Sequence, residues 1–210
     1  MIGLIKKDLF IVKRNLRSLL LIILVFSFLT INGQSEFSFF AVYMSVVLMM
    51  STFSYDEYNK SDAFIRTLPN GRSDAVKAKY ISTLIIEIAS VLFSVLLSII
   101  SGILKNNLNI MEILEISFYS WLGILLVQTI FYPIIYKFGI EKGRIGIFLS
   151  VFGVALVFGL LSKLGININI ASNILKSLED ILVYLIPIGV VILFLVSYKI
   201  SKKIYSNKEY

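Results

Sequence analysis

Six long apolar blocks constrain this chain more than any other feature of its sequence. Each is close to the roughly 20 helical residues that cross a bilayer core of about 30 Å. Their apolar residues are continuous, whereas the strands of a membrane β-barrel alternate in character. We therefore predict an all-α polytopic membrane protein, with one transmembrane domain over residues 1–210. The predicted spans lie at about 18–33, 37–54, 79–104, 113–136, 145–164 and 181–200.

Composition and charge placement agree with a membrane protein and predict its orientation. Hydrophobic residues make up 58% of the chain and charged residues 16%, and the mean hydropathy is +0.89. Of the 20 lysine and arginine residues, 17 lie in the two terminal tails and the second and fourth connections. The positive-inside rule then places both termini in the cytoplasm. These basic segments also explain the net charge of +7, because lysine and arginine beside membrane spans follow from topology and from contact with anionic lipid. We therefore expect no nucleic-acid partner.

Residue types that are missing exclude several kinds of chemistry. The chain has no cysteine and no histidine, which excludes disulfides, thiolate clusters, imidazole-bound zinc and histidine base catalysis. It also lacks the G-x-x-x-x-G-K-[ST] loop that holds nucleotide phosphates, and no aspartate lies deep in a predicted span. We expect no catalytic residue, no cofactor and no metal site, so the chain is not predicted to be an enzyme.

The first 17 residues have a helical pattern of their own. Ile5, Leu9, Val12 and Leu16 follow one another at spacings of four, three and four, which places them on one helix face. The basic residues lie largely off that face. This pattern predicts an interfacial amphipathic helix over 1–17, with its lysines toward lipid phosphates. Such a helix serves either as a topology anchor or as a docking element for a partner.

Glu87 is an acidic residue about two turns inside the third predicted span. An ionised side chain near the centre of a bilayer costs roughly 2.5 kcal/mol or more. Glu87 should therefore face the interior of the helix bundle, be protonated, or reach toward the cytoplasmic rim. Its role is open between a hydrogen bond that stabilises the bundle and a polar site for a substrate or a coupling ion.

A polar segment at 53–80 separates the second and third spans and holds nine of the 33 charged residues. Residues 56–68 predict a helix of about three turns, which Pro69 ends because the residue before proline is disfavoured in the α region. Leu68 to Gly71 fit a turn with proline second and glycine fourth, and Ser73 can cap the next helix. Mixed charges and aromatic side chains suit docking on another protein, and the alternative is a solvated loop.

Several short runs in the first 80 residues carry a family resemblance. They are L-I-K-K-D-L near the start, then D-E-Y-N-K, L-P-N-G-R and V-K-A-K-Y around the polar segment. The chain resembles the ABC-2 class of ATP-binding-cassette (ABC) exporter permeases, especially the short six-span bacterial group that includes the phenol-soluble-modulin exporters. The residues that carry the resemblance are Lys6, Lys7, Asp8, Leu9, Glu57, Asn59, Lys60, Leu68, Pro69, Arg72, Val76, Lys79 and Tyr80.

The resemblance implies an assembly in the bacterial cytoplasmic membrane. Two permease chains would pair, as a homodimer or with a sister permease, and each would bind a separate cytoplasmic ABC ATPase subunit. Residues 56–68 would be the coupling helix that receives the movement of the ATPase. The implied substrate is an amphipathic antimicrobial or cytolytic peptide, or a similar amphiphile, leaving the cytoplasm or inner leaflet. The residues implied to contact the ATPase are Asp56, Glu57, Tyr58, Lys60, Phe64 and Arg66.

Two other classes of function stay open at this point. A membrane immunity or interaction protein would sequester a toxic peptide without an ATPase, and its protection would persist when no ATPase is present. An ion-coupled carrier would place Glu87 at its centre, and Glu87→Gln would then abolish transport. An intramembrane enzyme is the remotest alternative, because the residues for it are missing.

Overall fold

The structure is a computed structural model that describes residues 1–31, 39–69, 71–106, 108–145 and 179–207. These residues form helices and connecting turns, with no strand among them, which confirms the all-α prediction for this part of the chain. A further helical stretch occupies 140–145. Apart from its first residue, the fifth predicted span at 145–164 lies outside the described residues. The helices are α1 (Ile2–Ile31), α2 (Phe39–Tyr58), α3 (Ser61–Thr67), α4 (Gly71–Leu104), α5 (Ile110–Phe138) and α6 (Glu179–Ser206).

Three described segments are long and apolar enough to cross a membrane. They are Gly71–Leu104, Ile110–Phe138 and Leu185–Ser206, and they include most of the third, fourth and sixth predicted spans. Large apolar side chains lie exposed along all three, as expected of surfaces that face lipid hydrocarbon. The count of six spans stays a prediction.

Helix α1 differs from the prediction of a separate interfacial helix at 1–17. It runs without a break from Ile2 to Ile31, because no proline interrupts its hydrogen bonds and Gly3 lies in its first turn. Its amphipathic half packs inward, where Val12 forms a small apolar cluster with Leu48 of α2 and Ile86 of α4. The predicted apolar face therefore packs against protein at Val12, while Leu16 is exposed.

Helix α4 lies at the centre of the described bundle and contacts each of the other five helices. Its first turn holds both ends of the chain. The terminal amino group of Met1 lies 3.4 Å from the Asp74 carboxylate, and Arg72 donates to the Ser206 carbonyl oxygen at 2.6 Å. Met1 and Ser206 therefore lie beside α3, at what we call the α3 end of the bundle.

An aromatic core fills the bundle next to the α3 end. The ring centroids of Tyr80 and Tyr132 are 4.3 Å apart, and Phe53 packs against Tyr132 at 5.6 Å. The Tyr80 hydroxyl also forms hydrogen bonds of 2.8 and 2.9 Å with Ser197 and Ser201 of α6. Helices α2, α4, α5 and α6 are thus joined at this level by large buried rings.

The segment predicted as one helix over 56–68 is divided in the structure. Helix α2 continues to Tyr58, and α3 begins only at Ser61. Between them Lys60 adopts a left-handed conformation with φ of 49°, while the Asn59 side chain donates to the Tyr55 carbonyl at 2.9 Å. This polar side chain competes for a backbone group of the last α2 turn, which favours a helix end at this point.

The predicted turn after α3 is confirmed. Leu68 is extended, with φ of −82° and ψ of 140°, as expected before proline, and Gly71 N donates to its carbonyl at 2.9 Å. Gly71 also begins α4, two residues before the predicted cap at Ser73. A Cβ at Gly71 would overlap the Ile65 carbonyl, so only glycine permits this close return of the chain.

Candidate functional site

Helix α3 presents an exposed aromatic surface at its end of the bundle. Tyr58, just before α3, is 85% exposed, and Phe64 within α3 is 66% exposed. Ile65 is buried and packs α3 onto the bundle. Tyr58 and Phe64 are six positions apart in the chain. Exposed aromatic side chains are enriched at protein interaction surfaces.

The six residues predicted to contact an ATPase do not share one environment. Tyr58, Lys60 and Phe64 are exposed. Asp56 is half-buried and Glu57 is exposed, and both also form contacts inside the chain. Arg66 lies in α3, but its side chain is outside the part that the structure describes. Contact of these residues with an ATPase stays a prediction.

Asp56 belongs to a group of four charged residues that we call the ionic cluster. Lys79 of α4 is at its centre, with its Nζ 3.0 Å from Asp8 Oδ1 and 2.6 Å from Asp56 Oδ2. Lys7 forms an ion pair with Asp56 and lies 3.5 Å from Asp8. Ser82 donates a further hydrogen bond of 3.0 Å to Asp8. The cluster contains Lys7, Asp8, Asp56 and Lys79, and it connects α1, α2 and α4.

The ionic cluster is electrically balanced, with two cations and two carboxylates. Lys79 is only 3% exposed and Asp8 only 2%, so each needs its partner. Burial alone would raise the pKa of Asp56. The positive charges of Lys79 and Lys7 together lower this pKa by more than burial raises it, so the pKa lies below the ordinary value. Asp56 therefore stays ionised and keeps the end of α2 against α1 and α4.

Glu57, the next residue, contacts the opposite side of the α2 end. Its Oε2 accepts a hydrogen bond of 2.7 Å from the backbone N–H of Ile140, just after α5. Gly139 lies directly beneath the carboxylate, and a Cβ there would be 3.0 Å from Oε1. Arg144 donates to the Ser54 hydroxyl at 2.8 Å, one turn earlier on α2. The end of α2 is thus joined to the segment that follows α5.

A cavity of about 470 Å³ lies between α3 and the ionic cluster. Its wall combines the charged groups with apolar side chains, among them Phe53, Ile65 and Tyr136. Tyr205 donates to Asp62 at 2.7 Å, which connects α6 to α3 beside this cavity. Within the described ranges no group of three acidic side chains is placed to hold a metal ion.

Glu87 faces the bundle interior, which was one of the three alternatives predicted for it. Its side chain has no exposed surface. Trp121 of α5 donates its indole N–H to Oε2 at 3.2 Å, and the Gln128 amide donates to Oε1. Tyr132, one turn further along α5, donates to Thr83 at 2.5 Å. We call Glu87, Trp121 and Gln128 the Glu87 cluster. It connects α4 to α5 through neutral donors.

Asp8 and Lys79 were not among the predicted site residues. A signal for Asp8 is present, because it is the only acidic residue among the first 17, beside five basic ones. Lys79 begins a predicted span, where a lysine is ordinarily explained by the positive-inside rule. Their pairing across 71 positions required the fold.

Comparison with known proteins assigns the family. The profile described as ABC-2 family transporter protein matches residues 3–206, almost the whole chain. A search of curated proteins found no match, and neither did a search of solved structures. Members of the matching family are membrane components that associate with an ABC ATPase and are not themselves catalytic. With its apolar helices and a match of this length, the chain belongs to the ABC-2 transporter family.

Proposed function

We propose that this chain is the permease subunit of an ATP-driven exporter and that α3, with Tyr58 before it, docks on a separate ABC ATPase. The observation that carries the proposal is the exposure of two aromatic side chains, Tyr58 at the end of α2 and Phe64 on the short helix α3. In the assembly, Tyr58 and Phe64 enter a groove on the ATPase, and Lys60 and Arg66 supply charges at its edge. Aromatic side chains of this kind dominate the energetics of many protein interfaces.

The proposed movement passes from α3 into the bundle through the ends of α2 and α4. Helix α3 is joined to them by a turn of two residues on one side and a tight proline–glycine turn on the other. Asp56 then connects α2 to α1 and α4 through Lys7 and Lys79. A displacement of α3 by the ATPase is therefore delivered to three helices together.

The rest of the proposed assembly follows the family. A second permease chain completes the path for substrate, most simply as a homodimer in a bacterial cytoplasmic membrane with the α3 end in the cytoplasm. The proposed substrate is an amphipathic antimicrobial or cytolytic peptide, or a similar amphiphile. Support for the orientation comes from lysine and arginine, 17 of 20 of which lie in the tails and connections predicted to be cytoplasmic.

Binding of the ATPase tests the docking surface. The permease is placed in nanodiscs and titrated with the ABC ATPase encoded next to its gene. Replacing Tyr58 and Phe64 together by alanine should cost at least about 2 kcal/mol, or roughly 30-fold in Kd, because both are exposed aromatic anchors. Met111→Ala is the matched control, since Met111 is 71% exposed and lies in the first turn of α5, at the opposite end of that helix from Gly139. Equal affinity of the double variant and the wild type would remove α3 as the docking element.

A second candidate, an ion-coupled carrier, rests on the complete burial of Glu87. Against it, both carboxylate oxygens already accept hydrogen bonds from Trp121 and Gln128, as in a bundle-stabilising contact. Glu87→Gln distinguishes the two functions in proteoliposomes. A carrier loses transport in this variant, whereas the proposed exporter keeps its ATP-dependent transport.

A further inference from the structure

We propose that Glu57 acts inside the permease as a positioning residue, which transmits movement of α3 to α5 and the helical stretch after it. The inference rests on the proposed function, because it concerns the same movement. It also replaces the expectation from the sequence that Glu57 contacts the ATPase directly.

The first support is the geometry of the carboxylate. Ile140 N lies in the first turn of the stretch at 140–145, where a helix has no carbonyl of its own to receive the backbone N–H. Glu57 Oε2 accepts this N–H at 2.7 Å. A negative charge is also favoured at such a position by the helix dipole. The hydrogen bond thus joins the end of α2 to the start of another helix.

The second support is the glycine that permits the approach. Gly139 has φ of 86°, a conformation that side chains with a Cβ rarely adopt. It ends α5, with its N–H bonded to the Ile135 carbonyl at 2.8 Å, and a Cβ there would be 3.0 Å from Glu57 Oε1. The backbone therefore reverses direction directly against the Glu57 carboxylate.

The third support is the direction of the neighbouring contacts. Asp56 pairs with Lys7 and Lys79 on the α1–α4 side, while Glu57 bonds to the α5 side. Arg144 bonds to Ser54 in parallel, one turn away. Two consecutive acids thus join the last turn of α2 to two different groups of helices, so a shift of α3 at this turn pulls on both groups.

The first experiment needs no ATPase. The chain contains no cysteine, so nitroxide labels on Ala63→Cys of α3 and Lys142→Cys, both at exposed positions, report on α3 and on the stretch after α5. Their distance distribution is measured by double electron–electron resonance in nanodiscs. Glu57→Ala should at least double the width of the distribution, whereas Glu57→Gln should preserve it, because the amide oxygen can still accept from Ile140 N. An unchanged distribution in Glu57→Ala would overturn the link.

The second experiment uses the neighbouring ATPase and separates transmission from docking. Glu57→Ala should bind the ATPase within twofold of the wild type, but transport per ATP hydrolysed should fall at least fivefold. Glu57→Gln should restore that ratio to within twofold. Glu141→Ala is the matched control, an exposed acid two residues from Gly139 with no hydrogen-bond partner among the described residues.

The outcomes distinguish this inference from the proposed function. Equal loss of ATPase binding in Glu57→Ala and Glu57→Gln would make Glu57 a direct charge contact and overturn its positioning role. If the wild type itself bound no ATPase, the proposed function would fail, while the distance measurement would still report on the link through Ile140 N.

Discussion

The ionic cluster and the Glu87 cluster satisfy buried ionisable side chains in different ways, although α4 contributes to both. Lys79 and Glu87 lie eight residues apart on α4, a little over two helical turns. At the α3 end Lys79 has two carboxylates as partners, from α1 and α2. About two turns further in, the side-chain partners of Glu87 among the described residues are the neutral donors Trp121 and Gln128.

The difference follows from the cost of removing charge from water. At the α3 end, the desolvation of Lys7 is incomplete, since its side chain is 34% exposed, so a balanced group of four charges is tolerated. A charged partner for the fully buried Glu87 would add its own desolvation cost. Neutral N–H donors satisfy Glu87 without that cost. The comparison predicts that removing one partner does more damage in the ionic cluster than in the Glu87 cluster.

The largest expected effect is that of Lys79→Ala. It removes the ammonium group nearest to the buried carboxylate of Asp8, which keeps only the longer 3.5 Å contact with Lys7. Breaking a buried ion pair costs about 3–5 kcal/mol. The free energy of unfolding is measured by denaturant titration in detergent micelles. Lys77→Ala is the control, because Lys77 is exposed and two residues away. Similar unfolding free energies for the two variants would show that the ionic cluster does not stabilise the fold.

Glu87→Ala should have a smaller effect. The substitution leaves the Trp121 indole and the Gln128 amide without an acceptor, and an unsatisfied buried donor costs about 1–3 kcal/mol. Glu87→Gln keeps one oxygen acceptor and should lose less. The same titration measures both variants. A loss in Glu87→Ala larger than that in Lys79→Ala would reverse the comparison between the two clusters.

The smallest expected effect is a difference in acid sensitivity. The pKa of folded Asp56 lies below that of the unfolded chain, so its ionised form stabilises the fold at pH above the unfolded value of about 4. This contribution declines as pH falls below that value and is lost once the pH passes the folded pKa. Melting temperatures between pH 6 and pH 3 should therefore fall more steeply in the wild type than in Asp56→Asn. Parallel curves would contradict a lowered pKa at Asp56.

Local signals in the sequence predicted the turn after α3 well. Leu68 is extended and the turn closes onto Gly71, because proline and glycine determine the local backbone conformation by their own covalent structure. The helix of 56–68 was less predictable, since only the left-handed Lys60 and the Asn59 side chain divide it. Their conformations depend on where α2 ends against the bundle, which helical periodicity does not indicate.

Long-range contacts could not be predicted in the same way. Asp56 and Glu57 are adjacent acids with the same local pattern, yet successive helical side chains point about 100° apart. One therefore meets α1 and α4, and the other meets the turn after α5. The partner of each acid depends on which helices lie on each side of α2. The local pattern of residues 53–80 does not specify the positions of those helices.

The sequence by itself determined the class of this protein. Its continuous apolar blocks required an all-α membrane chain, because a bilayer admits few other solutions for such segments. Only the tertiary structure decided which polar residues act together. The pairing of Asp8 with Lys79 and of Glu57 with Ile140 N depends on helices that meet across 71 and 83 positions. Such contacts form through packing of whole helices, since most helical stability in proteins comes from tertiary contacts.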